Sequence, residues 1–248
     1  MQKRKKPSNL VYGRHPVNDA VQAGKSVDKI IIQQGIRGEF EKEIRHLAKS
    51  YQIPLQYAPK ERMNKIAGGN HQGVMAFLSP IPFQRLEHVL PLIYEKGETP
   101  LIILLDGVSD VRNFGAIARS AECSGAHAVV IPQKGAAQIN AEAMKTSAGA
   151  LNFIPVCRES SLAKAIELLK NSGVQVLASN LGASSALKDL DLSIPTALIV
   201  GSEGEGVSSS ILRMADQQFI IPQKGQTDSF NVSVAAGIML YEVLRQRG

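Results

Sequence analysis

Residues 221–237 read IPQKGQTDSFNVSVAAG. The run begins at the end of an apolar strand candidate, QFII at 218–221, and turns at Pro222 and Gly225. It then crosses a polar stretch and enters a helix. Val232, Ala235, Ala236, Met239, Leu240, Val243 and Leu244 recur at helical spacing. A buried strand that leaves through a loop into a helix is the unit of a parallel sheet covered on both faces. In such sheets ligands sit at the carboxyl ends of the strands. If Ser229 to Asn231 is extended, Ser229 and Asn231 point one way and Phe230 the other. Asn231 is placed to cap the helix, whose first N–H groups favour an anion.

The pentapeptide IPQKG also occupies 131–135, ninety residues earlier. Both copies end apolar runs, where Pro blocks further pairing and Gly allows a sharp exit. AAQINAEA follows one copy and QTDSFNVS the other. The reading is one local device used twice on one sheet, with only the second copy in a site.

Moving outward, strand candidates alternate with helical runs from Leu101 onward: LIILLD, AHAVVI, NFIPV, VQVLAS, TALIVG and QFII. Two further strand exits carry unusual polar residues. LIILLDGVSDVRNFGAIAR at 101–119 sends a strand into a helix that Asn113 opens and that bears Arg119. TALIVGSEGEGVS at 196–208 sets Gly201, Gly204 and Gly206 around Glu203 and Glu205. Glycines at a strand exit let the backbone approach a ligand closely. Neither a phosphate-binding G-x-x-x-x-G-K-[ST] nor G-x-G-x-x-G is present. Taken singly, Asn113 reads as a plain cap, Arg119 as a solvated charge and the glycine loop as a surface turn.

Before Leu101, SVDKIIIQ, IPLQYA and GVMAFLS read as strands, and EFEKEIRHLAKSY and ERMNKIAG as helices. This gives a small α/β unit over residues 1–80. Four prolines from Pro80 to Pro100 mark 81–100 as a linker, and a second α/β unit fills 101–248.

The chain has 248 residues, 44% hydrophobic and 20% charged, with net charge +6. Residues 1–97 hold 16 Lys and Arg against 8 Asp and Glu, so all of the excess lies there. Lys3, Arg4, Lys5 and Lys6 form a basic arm. Such asymmetry fits either a polyanion partner or a solubilising surface. The start MQKRKKPSNL has no apolar segment of signal-peptide type, and no run reaches membrane-spanning length. Cys123 and Cys157 make no metal or disulfide framework, which fits a reduced cytoplasm. The five histidines lack zinc-site spacing, and no G-x-S-x-G occurs. His71 reads as a turn histidine.

NFGAIAR at 113–119, ALIVGSEGEGVS at 197–208 and IPQKGQTDSFNVSVAAG at 221–237 together resemble the motifs of the SPOUT superfamily, in its SpoU branch of RNA ribose 2′-O-methyltransferases. VYGRHPVNDAV at 11–21 and HQGVMAF at 71–77 resemble the L30e-like substrate domain of the bacterial 23S ribosomal RNA guanosine methyltransferases. The resemblance implies a parallel-sheet catalytic domain with a C-terminal trefoil knot, S-adenosylmethionine as methyl donor, and a homodimer with active sites at the subunit interface. It implies Arg119 as the central catalytic residue, with Asn113, Glu203, Ser229 and Asn231 positioning it, the ribose or the cofactor. Gly201, Ile221 and Phe230 would hold the cofactor, with SNLGA at 179–183 as another wall. Phe230 departs from the leucine usual in the family. Lys134 of the first pentapeptide becomes a candidate RNA contact. The leading expectation is methylation of a guanosine in large-subunit ribosomal RNA, without metal or membrane. A transfer RNA target and a non-catalytic ribosome-assembly protein are the alternatives. The N-terminal domain disfavours the first of these, since the transfer RNA relatives usually lack it. The intact site residues weigh against the second.

Overall fold

The computed structural model describes Pro7 and residues 9–248. The basic arm Lys3–Lys6 lies outside the described residues. The chain divides into two compact units, one reaching Pro82 and the other running from Phe83 to Gly248.

The first unit runs β1 (Leu10–Tyr12), α1 (Arg14–Gln22), β2 (Val27–Gln33), α2 (Glu39–Ser50), β3 (Leu55–Ala58), α3 (Lys60–Ala67) and β4 (Val74–Leu78). Its sheet has the order β1-β4-β2-β3, with β2 and β3 parallel and β4 antiparallel to both of its neighbours. Ile30 and Ile32 on one face of β2 pack with Val17 and Val21 of α1 and Ile44 and Ala48 of α2. Ile31, on the other face, packs with Met63 and Ala67 of α3. The period-two pattern of the strand thus feeds helices on both sides.

The second unit runs β5 (Phe83–Gln84), α4 (Leu86–Glu95), β6 (Leu101–Asp106), α5 (Val111–Cys123), β7 (Ala128–Pro132), α6 (Ala141–Thr146), β8 (Val156–Glu159), α7 (Leu162–Asn171), β9 (Gln175–Ser179), β10 (Ser185–Ala186), β11 (Thr196–Gly201), α8 (Ser209–Leu212), β12 (Gln217–Ile220) and α9 (Val232–Arg247). Its eight strands are all parallel, in the order β10-β12-β9-β11-β6-β7-β8-β5. β11 is buried along its whole length, and β6 except at Asp106. Continuous apolar strands of this kind require cover on both faces.

Residues 81–100 are not the linker that their prolines suggested. Phe83 and Gln84 pair with β8, and α4 buries Leu86, Val89, Leu90 and Ile93. Pro91 inside α4 costs about 3 kcal/mol, whereas each buried apolar side chain returns about 1.5–3 kcal/mol. Packing therefore outweighs the proline. The helix start is held from outside, because the Leu86 N–H donates to Glu159 Oε1 of β8 at 2.8 Å. NFIPV also begins its strand later than its composition suggests. Asn152 closes a 3-10 turn, Phe153 is 76% exposed, and pairing starts at Val156.

The two pentapeptides lie in the same sheet but are built differently. Pro132 is inside β7, and the next residue, Gln133, still donates from its N–H to the Glu159 carbonyl at 2.8 Å. Alternate residues of a parallel strand bond to opposite neighbours. Pro132 therefore faces β6, whose pairing with β7 has already ended at Val130. Pro222 lies beyond the end of β12. Gly135 has φ 82°, whereas Gly225 does not use the left-handed region. One sequence thus makes two different exits.

α9 buries Val232, Ala236, Met239, Leu240 and Val243. Its end is anchored by Arg247, whose guanidinium donates to the carbonyls of Leu192 (2.9 Å), Thr99 (2.8 Å) and Ile194 (2.7 Å). No helix among the described residues is long and apolar enough to cross a membrane.

Candidate functional site

A cavity of about 320 Å³ opens where β9, β11 and β12 end. Its position at the carboxyl ends of parallel strands and its size suit a small-molecule site. One wall is Ser179–Leu181, pinned to β12 by the Asn180 N–H on the Phe219 carbonyl and by Asn180 Nδ2 on Gln218 Oε1, both 2.8 Å. A second wall is the loop after β11. Ser202 and Gly206 close it with two backbone bonds of 3.1 and 3.0 Å. A Cβ on Gly201 would stand 1.9 Å from the Gly206 carbonyl carbon, so only glycine lets the loop fold back over its own strand. The third wall is Ile221, Ser229 and Phe230, with Ala235 and Met239 of α9 behind them.

At the rim, three side chains interlock. Asn231 Nδ2 donates to Glu203 Oε1 at 2.6 Å and to Asn113 Oδ1 at 3.2 Å. Asn113 Nδ2 donates to the same Glu203 oxygen at 3.0 Å. Glu203 Oε2 has no partner among the described residues and stays available to a ligand. The starts of α5 and α9 both meet this carboxylate, and helix N-termini favour negative charge.

Asn113 does not open its helix. Asp110 is the cap, accepting from the Arg112 and Asn113 N–H groups at 2.9 Å each. Asn113 sits in the first turn with its amide free to reach Glu203. Asn231 does cap α9. Its Oδ1 accepts from the Ser233 N–H and hydroxyl at 2.9 and 2.6 Å, while its amide nitrogen serves the cluster.

The structure therefore joins Asn113, Glu203 and Asn231, and places Gly201, Ile221, Ser229 and Phe230 around the cavity. Ser229 and Phe230 both line it, so simple alternation does not sort them. Arg119 stands apart. It is six residues beyond Asn113, about 9 Å along α5 and turned by about 120°. It is exposed, is not part of the cavity lining, and has no partner among the described residues. The residue that sequence reading missed is Asp110, which a D-x-x-N spacing ahead of the helix would have marked. Among the described residues no group of His, Cys, Asp and Glu is placed to hold a metal ion.

Comparison with known proteins bears on this geometry. Residues 100–241 match the model of the SpoU rRNA Methylase family. The chain belongs to the SpoU rRNA methylase family. It is an RNA methyltransferase of that family, and the whole rim cluster falls inside the SpoU match. Residues 10–84 match a second model, RNA 2′-O ribose methyltransferase substrate binding. A protein of Staphylococcus epidermidis described as a candidate TrmH family tRNA/rRNA methyltransferase is 34% identical over 96% of both chains. The SpoU methyltransferase AviRb from Streptomyces viridochromogenes, solved with AdoMet, shares the fold. Its TM-score is 0.62 at 24% identity, over 96% of this chain and 90% of that one. The A. aeolicus TrmH/SpoU tRNA modifying enzyme is 33% identical with a TM-score of 0.56, over 65% of this chain and 84% of that one.

Proposed function

We propose that this protein transfers a methyl group from S-adenosylmethionine to the ribose 2′-hydroxyl of a guanosine in large-subunit ribosomal RNA. The observation that carries the reading is the Asn113–Glu203–Asn231 cluster on the rim of a cavity with a glycine-lined wall. The cavity suits the cofactor chemically. Leu181, Val207, Leu212, Phe219 and Met239 line it and give apolar cover to an adenosyl group, and Glu203 and Glu205 suit its cationic end. Ile221, whose main-chain groups have no partner among the described residues, offers a donor and an acceptor. Bound S-adenosylmethionine supplies a methyl group activated by sulfonium charge.

The chain's own residues orient the hydroxyl and manage its proton. A guanidinium stays protonated, so Arg119 binds RNA phosphate and stabilises the developing alkoxide. Asn113 and Asn231 hold one oxygen of Glu203 and leave the other for the ribose or for Arg119, where a bidentate pair is available. Because Arg119 lies away from the cavity of its own chain, Arg119 of the partner subunit completes the site in a homodimer. Val234, Tyr241 and Leu244 leave an apolar outer face on α9 that suits such a contact. The C-terminal trefoil knot is proposed on the family resemblance alone. The N-terminal unit, residues 1–80 as first divided, serves as the RNA-binding substrate domain. Two free cysteines suit a cytoplasmic setting.

A transfer RNA target is the second reading, favoured by the 33% identity to the A. aeolicus enzyme. The substrate-binding match at 10–84 supports ribosomal RNA through the expectation that the transfer RNA relatives usually lack such a domain. Ribose-methylation mapping with and without the protein decides between them. Loss of one guanosine mark in large-subunit RNA supports the proposal, a lost transfer RNA mark supports the second reading, and no change refutes both. Failure of the purified protein to bind labelled S-adenosylmethionine, or full activity in Arg119→Ala, overturns the mechanism.

A further inference from the structure

The N-terminal unit carries its own cleft, of about 480 Å³. Around it stand Arg14, Lys60, Asn64, Asn70 and Gln72, with His71 buried beneath at 3% exposure. Among the described residues no carboxylate lines it.

The hydrogen bonds decide which end of each amide is left for a ligand. The Gly73 N–H donates to His71 Nδ1 at 3.0 Å, so the ring proton is on Nε2. Burial and the nearby Lys60 charge hold the ring pKa below its usual value, which keeps it neutral. Nε2 then donates to Asn64 Oδ1 at 2.9 Å. The Arg14 N–H donates to Gln72 Oε1 at 3.0 Å, and the Gln72 N–H donates to Asn70 Oδ1 at 3.2 Å. Backbone N–H groups can only donate, so none of the three amides can be reversed without losing its bond. Their oxygens are engaged and their NH2 groups are not. Arg14 stacks over Phe40 at 3.9 Å, and neither it nor Lys60 has an ion-pair partner among the described residues. His15 and Gln33 also line the cleft and can donate or accept, so donors outnumber acceptors there.

We infer that this cleft holds an unpaired, keto-bearing nucleotide of the RNA substrate, with its phosphate at Arg14 and Lys60 and its base carbonyl at the Asn64, Asn70 and Gln72 amides. Phosphate oxygens, O4 of uracil and O6 of guanine are acceptors, whereas at the corresponding position adenine and cytosine carry an amino donor that the cleft would leave unpaired. A base inside an A-form duplex keeps its edge from side chains, so the nucleotide must come from a single-stranded segment. The inference rests on the RNA methyltransferase reading.

The test uses the full chain and measures anisotropy of labelled oligouridine, oligoadenosine and a short RNA duplex. Asn64→Asp and Gln72→Glu keep the oxygen that His71 Nε2 or Arg14 N–H needs, but replace the free NH2 with an acceptor. Each is expected to weaken oligouridine binding about tenfold. Lys60→Ala should lower the salt slope by about 0.7. All three should raise KM for RNA with kcat and S-adenosylmethionine binding unchanged. Gln56→Glu, which adds the same charge in β3 outside the cleft, should leave binding intact. Unchanged binding in Asn64→Asp and Gln72→Glu, an equal loss in Gln56→Glu, equal binding of adenosine and uridine oligomers, or equal binding of duplex would each overturn the inference. Displacement by inorganic phosphate without base preference would reduce the cleft to a phosphate pocket and also overturn it. Absence of S-adenosylmethionine binding by the unmodified protein would instead sink the methyltransferase reading.

Discussion

Ile131–Gly135 and Ile221–Gly225 carry the same five residues and leave the same sheet, and each leads to a helix capped by an asparagine. Asn140 caps α6, its Oδ1 accepting from the Glu142 and Ala143 N–H groups at 2.9 and 3.1 Å. Asn231 caps α9 in the same way. The first segment stops at structure: Ile131 is 2% exposed, and the Asn140 amide nitrogen has no partner among the described residues. The second is half-buried at Ile221, lines a cavity, and uses its cap's amide nitrogen on Glu203. What separates them is the neighbouring chain. β12 leaves beside the loop that folds back over Gly201, whereas β7 leaves between β6 and β8. A local sequence sets a turn and a cap, and the elements beside it decide whether the cap becomes part of a site.

The largest effect should come from disturbing that neighbour. Gly201→Ala puts a methyl 1.9 Å from the Gly206 carbonyl carbon, against backbone that cannot rotate away. Overpacking of this kind costs about 3 kcal/mol or more, which corresponds to a Tm lower by about 6–12 °C at this size. Binding of S-adenosylmethionine should go with it. A Gly201→Ala protein with native Tm and native binding would mean that the loop does not define the second exit.

Next in size is a pair. Ile131→Ala should lose about 2–5 kcal/mol in chemical denaturation and keep cofactor affinity, because its side chain is core. Ile221→Ala should lose less than about 1 kcal/mol, the exposed part of the side chain having little burial to forfeit. Titration calorimetry should nonetheless find cofactor affinity about tenfold lower. If the two variants exchanged these phenotypes, the division between structural and functional copies would be reversed.

Much of this was legible before folding. The apolar runs of β6, β7 and β11 and the helical spacing of α9 declare a covered parallel sheet, and Asn231 reads as a cap from its place before Val232. The cluster was not legible by local chemistry. Ninety residues separate Asn113 from Glu203, and only the order β9-β11-β6 brings their strands side by side. Asp and Asn are near-equal caps, so propensity alone could not assign the cap to Asp110 and free Asn113. Residues 81–100 misled for a different reason. Prolines report a local cost, while the burial of Leu86, Leu90 and Ile93 that outweighs it depends on β8 and α7, which come far later in the chain. The donor-rich face of the N-terminal cleft depends on the tautomer of His71, which no sequence pattern reports.

A subtler comparison replaces the caps themselves. Aspartate caps a helix as well as asparagine does, so Asn140→Asp should stay within about 0.5 kcal/mol of the parent. Asn231→Asp keeps the bond to the Ser233 N–H but sets a carboxylate oxygen where the amide donated to Glu203 at 2.6 Å. The like charges and the lost bond should cost about 1–3 kcal/mol. Methyl transfer should fall at least about tenfold, the factor that each 1.36 kcal/mol of barrier imposes. Equal activity in the two variants would remove Asn231 from the machinery.

The smallest effect separates the two glycines. Gly135 has φ 82°, and although nothing stands within 4 Å of an added Cβ, an L side chain is strained there. Gly135→Ala should therefore cost about 1–2 kcal/mol through backbone strain alone. Gly225 has no positive φ, and its nearest neighbour to an added Cβ is the Thr227 nitrogen at 4.0 Å, ordinary contact. Gly225→Ala also narrows the unfolded ensemble, so it should be neutral or stabilising by about 0.4–1 kcal/mol. Thermal unfolding of the pair gives the sign directly. Opposite signs from one substitution at one position of one pentapeptide would mean that the backbone conformation is imposed by what surrounds the copy. Equal costs would mean that the five residues carry their own turn, and the contrast between the two exits would then have to lie wholly in the residues that follow.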